Sequence, residues 1–435
     1  MGKKVKDSMP KYGVLQGVKV VSAVSSVAGP YATVLCAENG ADVVAIENLN
    51  ARDPVRIFPY WFAQEHRNMR KIALNSATPE GKKVLSSLLS KADIFIESSK
   101  ARTYEKWGLS DEVLWEMNPK LVIVHISGYG QDGDPEYYKR ASFDYIGQVF
   151  SGITLHNGVP DPGMPAYLKP NLCDFMTGLQ ASWSAMAALF NAQRTGQGES
   201  IDVSQYETLF RMQSHYPIYG FMHGAEAVRY TDIDPSMAGD AFYRTKDEKF
   251  ITICLQGVGP IRKGAALIGI GDDTDFHNLN MLLKHHRGAE KFVQALRNFC
   301  LARTLKEVEK EMNDAGLPCS PLMTYDDILH NSQYNARNDI IEYYSSYANE
   351  TIKGPAAFPK FKRNPQQIWR GGPCIGEDND EILEEYGFSE EEIKSLYEKK
   401  IIGNSGPVEK TESEKIRDGE PCGISQANLD AGKKK

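Results

Sequence analysis

An aspartate stands between a cysteine and an aromatic residue, Cys173-Asp174-Phe175, where a long segment of helical periodicity begins. A carboxylate in the first turn of a helix meets the positive end of the backbone dipole, which favours its ionised form. An ionised carboxylate can attack an acyl carbon and form a mixed anhydride. Aspartate is also a favoured N-cap residue, so capping alone is the competing account. Three other stretches have residue types suited to holding a ligand. Val27-Ala28-Gly29-Pro30 follows an apolar β-branched run, at the place where a parallel sheet offers a ligand loop. It is neither G-x-G-x-x-G nor a P-loop, and a plain strand-to-helix turn with Pro30 in the first helical turn accounts for it equally. Ser98-Ser99-Lys100 follows a second apolar run, with Lys106 shortly after. Lysines near helix starts can pair with phosphate; a solvated charged face is the alternative. Residues 127–133 carry Gly128, Gly130 and Gly133. Such a loop can let backbone approach a ligand, move as a lid, or simply turn.

These stretches need a scaffold. Apolar β-branched runs at 18–24, 42–47, 93–97 and 121–126 alternate with helical patterns at 32–38, 79–90 and 112–117. Strands buried on both faces read as continuous Val/Ile runs, and helices between them force parallel connections. The fold class is α/β: a doubly wound parallel sheet in a large domain, with a smaller α+β domain. A long helix is expected over 175–194, with Phe175, Leu179, Trp183, Met186 and Leu189 on its buried face and glycines at its end. A short strand at 199–203 and an aromatic-rich helix at 205–222 follow. The expected layout is residues 10–224 as the first part of the large, Rossmann-like domain and 225–330 as the small domain. Residues 331–402 form a linker returning to the large domain, through an extended proline-punctuated stretch at 359–369, and 403–435 form a disordered polar tail.

Bulk properties exclude several classes. The chain has 435 residues, 41% hydrophobic and 25% charged, with net charge −7, the balance of a globular protein of two domains or one with a large insertion. The pI is about 5.8 and no stretch is basic enough for a nucleic-acid face. Mean hydropathy is −0.42, and no apolar run approaches the roughly 20 residues of a membrane helix. Residues 1–12 lack the apolar core of a signal peptide, so a cytoplasmic location is expected. The seven cysteines are scattered, with no C-x-x-C, and the nine histidines include no H-x-x-x-H. The neighbours His285-His286 point about 100° apart on a helix and cannot share a ligand. Reduced thiols and no metal are expected.

Taken in order, several motifs resemble one family. They are Gly-Val-Lys-Val-Val at 17–21, Ala-Gly-Pro at 28–30, Gly-Ala-Asp-Val-Val-Ala-Ile-Glu-Asn at 40–48 and Ala-Asp-Ile-Phe-Ile-Glu at 92–97. Ser-Gly-Tyr-Gly at 127–130, Thr-Gly-Gln-Gly-Glu-Ser-Ile-Asp-Val at 195–203 and Lys-Phe-Lys-Arg-Asn-Pro at 360–365 complete the set. The chain resembles the class III CoA-transferases from about residue 10 to 400. Met164-Pro165-Ala166 and Leu114-Trp115 lean toward the L-carnitine (crotonobetaine/γ-butyrobetaine) branch. The longer set Ser98-Ser99-Lys100, Gly108-Leu109-Ser110, Gly133-Asp134-Pro135, Arg140-Ala141-Ser142 and 361–365 leans toward the bile-acid branch, which ranks first.

The resemblance implies a transfer of CoA from an acyl-CoA to a small carboxylic acid, with no tightly bound cofactor and coenzyme A entering as substrate. It maps the nucleophilic aspartate onto Asp174, which forms a mixed anhydride and then an aspartyl-CoA thioester. It places CoA against the Val27-Ala28 backbone, Ser99, Lys100 and Lys106, with Arg140 in reach of phosphate. Carnitine-type relatives carry arginines where this chain has Lys106 and Trp107, and lysine lacks the planar fork of arginine. The resemblance also implies an interlocked homodimer, each chain forming a ring through which the other passes. An apolar pocket would suit a bile acid. An aromatic cage would suit a trimethylammonium acid. Tyr206, Tyr216, Tyr219 and Phe221 lie on a helix that could supply either, with simple core packing as the competing account. Two other readings share the fold. An α-methylacyl-CoA racemase needs a base, and its Ala-Gly-His-Asp motif reads Ala141-Ser142-Phe143-Asp144 here, leaving His125 and His156 as substitutes. A non-catalytic CoA binder would have no use for Asp174.

Overall fold

The computed structural model describes residues 9–160, 162–224, 229, 239–273 and 287–408. His285-His286 and residues 409–435 of the expected tail lie outside them. The chain divides into two units: residues 1–153, 168–215 and 337–435 form the first, and 154–167 with 216–336 the second. The expected boundary at 224/225 thus falls at 215/216, and the stretch 154–167 goes with the second unit. The division coincides with a break in the expected helix at 205–222. Ser214 takes a left-handed φ of 56°, and the segment becomes two helices, Gln205–Met212 and Tyr216–His223. Tyr206 therefore belongs to one unit, and Tyr216, Tyr219 and Phe221 to the other.

The first unit is built on a six-stranded parallel sheet of β1 (Lys19–Ala23), β2 (Asp42–Glu47), β3 (Arg70–Ala73), β4 (Ile94–Glu97), β5 (Val122–Ser127) and β6 (Ser200–Ser204). The strand order is β3-β2-β1-β4-β5-β6, so the order reverses between β1 and β4, where Val20 pairs with Ile94 and Ala23 with Glu97. Ligands of such sheets bind in the crevice beyond the carboxyl ends at this reversal. Strand β3 was not expected, because it reads Arg-Lys-Ile-Ala. All four residues are buried. Arg70 is held by Asp42 at 2.7 Å and Glu385 at 2.8 Å, and Lys71 by Glu47 at 3.6 Å. Paired buried charges replace the usual apolar run.

The sheet carries a core on each face. On one, Val20, Val43, Ile94 and Val124 meet the helices Ala28–Glu38 and Leu172–Thr195. On the other, Val21, Val44, Phe95 and Ile123 meet the helix Pro79–Leu89 and two helices near the end of the described chain, Asn379–Glu385 and Glu390–Glu398. Residues 359–369 contain no helix or strand. They are held to the first unit by Asn68, which bonds the Gln367 carbonyl and the Trp369 N–H, while Pro365 accepts from Gly13 N–H.

The long helix Leu172–Thr195 buries only part of the expected apolar face: Leu189 is buried, and Phe175 and Met186 partly so. Its buried residues include Thr177, Gly178, Ala181, Ala185 and Ala192, whereas Leu179 is 45% exposed and Trp183 65%. Small side chains let it lie close on the helix Ala28–Glu38: a Cβ on Gly178 would stand 2.5 Å from the Ala28 carbonyl oxygen. Gly196, at φ 77°, ends the helix in the left-handed conformation.

In the second unit β7 (Ala241–Arg244), β8 (Phe250–Ile253) and β9 (Cys319–Pro321) form an antiparallel sheet. Its core joins Tyr243, Ile251 and Ile253 to Leu296, Val308 and Met312. Among the described residues no helix is long and apolar enough to cross a membrane.

Gly178→Ala forces two helix backbones apart at a contact with no give, so it should cost about 1–3 kcal/mol. Chemical denaturation measures this; an unchanged midpoint would show that the two helices can separate freely.

Candidate active site

Three helices meet behind the carboxyl edge of the sheet: Asp144–Ser151, Leu172–Thr195 and Gln205–Met212. Gly147 makes the meeting close. A Cβ there would lie 2.6 Å from Cys173 Sγ and 3.0 Å from Gln205 Cβ. Asp174 occupies the junction, and only 6% of it is exposed. It is not the cap of its helix: Asn171 holds that position and makes no side-chain capping bond. The capping group comes from another helix, since Asp144 Oδ1 accepts the Asp174 backbone N–H at 2.9 Å. The Asp174 side chain is left to face a cavity, with Oδ1 accepting from Gln205 Nε2 at 2.6 Å.

Asp174 does not stay in the ordinary carboxylate range, contrary to the dipole argument. Burial pushes it up to about 7 and the neighbouring Asp144 carboxylate adds to the rise, against hydrogen bonds from Gln205 and Asn171. Taking the carboxylate out of water outweighs the field of one helix end.

The cavity has a volume of about 250 Å³ and lies at the β1/β4 reversal. Val27, Ala28, Ser99, Lys100, Arg140 and Asp174 all line it, with Ser127 and Gly128 of the glycine loop and the unanticipated Gln205 and Ser142. Lys106 does not; it is exposed at the end of the short helix Thr103–Lys106. Its neighbour Trp107 lines an adjoining cavity of about 280 Å³ with Asn48 and Asp53, and the two cavities share Ser25, Ser98 and Ser99. Arg140 is engaged already, by Glu136 at 2.5 Å and by the Tyr137 ring at 4.3 Å, so an anion would compete with a carboxylate for it.

The loops are fixed from beneath. Ser26 takes φ 68°, and its N–H donates to Asp53 Oδ2 at 3.2 Å. Glu97 Oε2 accepts the Ser99 N–H at 2.7 Å, and its other oxygen meets His125 Nδ1 at 2.7 Å. His125 Nε2 meets Asp111 at 3.1 Å, and Asp111 accepts the Ser200 hydroxyl at 2.5 Å. Burial pulls His125 down, but hydrogen bonds and charge from Asp111 and Glu97 outweigh it and push the ring up to about 10. His125 is therefore an imidazolium brace at neutral pH with no lone pair to act as a base. Beyond Gly128 the glycine loop is tied down, with Gln131 N–H on Asp202 Oδ2 at 2.6 Å.

Gln205 stands in no motif, and Ser142 ends the stretch Arg140-Ala141-Ser142 without a role attached to it. The signal for Gln205 is place: it follows β6 at the same carboxyl edge as the expected loops. The aromatic side chains near β6 pack on one another. Phe150 fills the space between Tyr129 and Tyr206, 5.0 and 5.1 Å from their ring centres. Among the described residues no group of three or more His, Cys, Asp or Glu could hold a metal ion.

In a ¹³C titration of labelled aspartate, Asp174 should have its midpoint near 7. Asp144→Asn removes a negative neighbour and should lower that midpoint; no movement would show that the two carboxyls do not sense each other. His125 is raised on folding, so its contribution to stability is whole below its ordinary value of 6.5 and is lost as pH climbs through about 10. The stability gap between wild type and His125→Gln should therefore narrow from pH 6 to 10, and a constant gap would contradict the brace.

Comparisons with known proteins show what the chain as a whole is similar to. The model of CoA-transferase family III matches residues 15–379. Bile acid CoA-transferase BaiK of Clostridium scindens is 39% identical over 403 residues, covering 92% of this chain and 91% of that protein. L-carnitine CoA-transferase of Proteus mirabilis is 37% identical over 398 residues, covering 90% and 97%. Among solved structures, a CAIB/BAIF family protein from Brucella suis superposes with a TM-score of 0.73 at 25% identity, covering 86% of this chain and 100% of that one. Rv3272 from Mycobacterium tuberculosis shares the fold with a TM-score of 0.73 at 22% identity, covering 85% and 99%. The match spans the sheet, the loops at its carboxyl edge and the helix bearing Asp174, and the chain belongs to CoA-transferase family III.

Proposed function

We propose that this chain transfers CoA from a bile-acyl-CoA to a free bile acid, with Asp174 as the nucleophile. The observation that carries the reading is the placement of Asp174: a buried carboxylate, capped out of its capping role by Asp144, facing a cavity lined by the loops after β1, β4 and β5. Coenzyme A is a substrate here. Val27, Ala28, Ser99 and Lys100 are the residues to hold it in the cavity, and Arg140 can serve once released from Glu136. Lys106 would act from outside the cavity.

The chemistry runs through the Asp174 carboxylate. One of its oxygens attacks the thioester carbonyl of the donor; a C–O bond forms, the C–S bond breaks, and CoA leaves as thiolate. The product is an aspartyl mixed anhydride. The thiolate then attacks the Asp174 side-chain carbon, expelling the donor's acid as carboxylate and leaving an aspartyl-CoA thioester. The acceptor carboxylate repeats the two steps in reverse order. The acyl group stays activated throughout, which needs a nucleophile whose acyl derivatives are themselves reactive, and a carboxylate meets that need.

Bile acids rank first on the greater number of shared motifs and on the 39% identity to a protein named a bile acid CoA-transferase. L-carnitine is the second reading, resting on the relatives of that name at 37%. A homodimer is part of the proposal: Leu179, Trp183 and Phe190, each 45–65% exposed along one helix, form an apolar stripe that a second copy would cover. A racemase is disfavoured because His125 is held as a cation.

The test incubates the purified protein with a bile-acyl-CoA and a free bile acid, and separately with γ-butyrobetainyl-CoA and L-carnitine, following CoA exchange by mass spectrometry. Exchange in the first mixture, abolished in Asp174→Ala, is expected. Only the ionised carboxylate attacks, so kcat/KM should rise with pH through about 7 and level off above it. Exchange confined to the second mixture would replace the substrate, and exchange surviving in Asp174→Ala would remove the nucleophile.

A further inference from the structure

The amide of Gln205 touches the carboxyl that is to be acylated. Its Nε2 stands 2.6 Å from Asp174 Oδ1 and its Oε1 2.7 Å from Ser142 Oγ. The two contacts fix which way the amide points. An ionised carboxylate only accepts, so the NH₂ side must face Asp174, and the oxygen side must then find a donor, which the Ser142 hydroxyl supplies. Both partners are held by close packing against glycine. A Cβ on Gly147 would crowd Gln205 Cβ at 3.0 Å, and one on Gly128 would stand 2.1 Å from Ser142 Cβ. Gln205 itself is 7% exposed and lines the cavity. A donor so placed, buried and unable to swing, costs little reorganisation when charge arrives.

Charge arrives at that oxygen in the proposed reaction. When the thiolate attacks the Asp174 side-chain carbon of the mixed anhydride, a C–S bond forms and the C=O electron pair moves onto the carbonyl oxygen. Collapse restores the C=O bond and breaks the C–O bond to the leaving carboxylate. The acceptor carboxylate attacks the same carbon of the aspartyl thioester, and the same oxygen takes the charge before thiolate leaves. If the other oxygen of Asp174 bears the acyl group, Oδ1 is the oxygen that takes the charge both times.

We propose that Gln205, oriented by Ser142, is a catalytic residue that donates to the oxyanion formed on Asp174 Oδ1 in both attacks on its side-chain carbon. This deepens the reading of Asp174 as nucleophile and rests on it. Asp144 and the cap it supplies act on the ground state; Gln205 acts on the charge that develops.

The test compares Gln205→Met, close in length and shape but without a donor, with Ser142→Ala and Asp174→Ala in the full chain, on the bile-acyl-CoA and bile acid mixture. Loss of one preorganised oxyanion donor should lower kcat by about a hundred- to a thousandfold, with KM for the acyl-CoA little changed. The rising limb of the pH profile should move to higher pH, because the hydrogen bond that favours ionised Asp174 is gone. Ser142→Ala, which leaves Gln205 present but less tightly held, should lose about fivefold in kcat. It serves as the deciding variant if Gln205→Met does not fold. For Gln205→Met, a kcat within a fewfold of wild type, or a loss confined to KM, overturns the proposal; for Ser142→Ala, an unchanged kcat does. If that happens while Asp174→Ala is dead, Gln205 alone is dismissed; if Asp174→Ala still exchanges CoA, the nucleophile fails and this inference with it.

Discussion

A single hydrogen bond, from the Asp174 backbone N–H to Asp144, decides how the rest of the site can work. It closes the start of a 24-residue helix with a carboxylate borrowed from a neighbouring helix, so Asp174 need not cap its own. It also places two carboxyl groups side by side in a buried junction. The result is a carboxylate whose charge is resisted: moving from an ordinary aspartate to about 7 corresponds to about 4 kcal/mol against ionisation. Poor stabilisation by water is what makes a buried carboxylate attack readily, and a value near neutrality still leaves a good share of it ionised.

The surroundings are arranged to hold that junction rigid. Gly147 and Gly178 allow helix backbones to approach without a side chain between them. The ligand loops are pinned by buried charge rather than by apolar packing. Glu97 grips the Ser99 N–H and is itself held by His125, and Asp53 grips Ser26. Such pairs contribute little net stability compared with a hydrophobic replacement, yet removing one partner strands the other. They set backbone positions at the carboxyl edge of the sheet, where a ligand must be met by N–H groups and short side chains in fixed places.

The apolar residues of the long helix point to a second consequence. Its inward face is mostly Gly, Ala, Ser and Thr, with Leu189, because it lies against another helix and the sheet, and Leu179, Trp183 and Phe190 are displaced outward. A pattern that usually marks a core face is here divided, with Leu189 inside and Leu179 and Trp183 outside. The apolar stripe left on the first unit gives the proposed homodimer its physical motive, and the proposed CoA chemistry requires only that Asp174, Gln205 and the loops remain where the helices put them.

The sequence by itself determined the parallel sheet. Four of its strands are continuous Val/Ile runs, since strands buried on both faces admit little else. It also determined the candidate loops, which follow those strands, and the family, whose motifs lie in order along the chain. It could not reveal β3, because Arg70 and Lys71 look like surface residues until Asp42, Glu385 and Glu47, distant in sequence, are seen to neutralise them. Nor could it show the buried face of the Asp174 helix, where the choice between Ala181 and Trp183 as core was made by how closely a neighbouring backbone approaches. The ionisation of Asp174 lies beyond the sequence for the same reason. The dipole of its own helix is a local property, while burial and the charge of Asp144, thirty residues away, belong to the folded molecule. Gln205 and Ser142, separated by 63 positions, meet only there. Local pattern fixes which elements form; distances between residues far apart in the chain fix charge, solvation and hydrogen bonding, and those decide the chemistry.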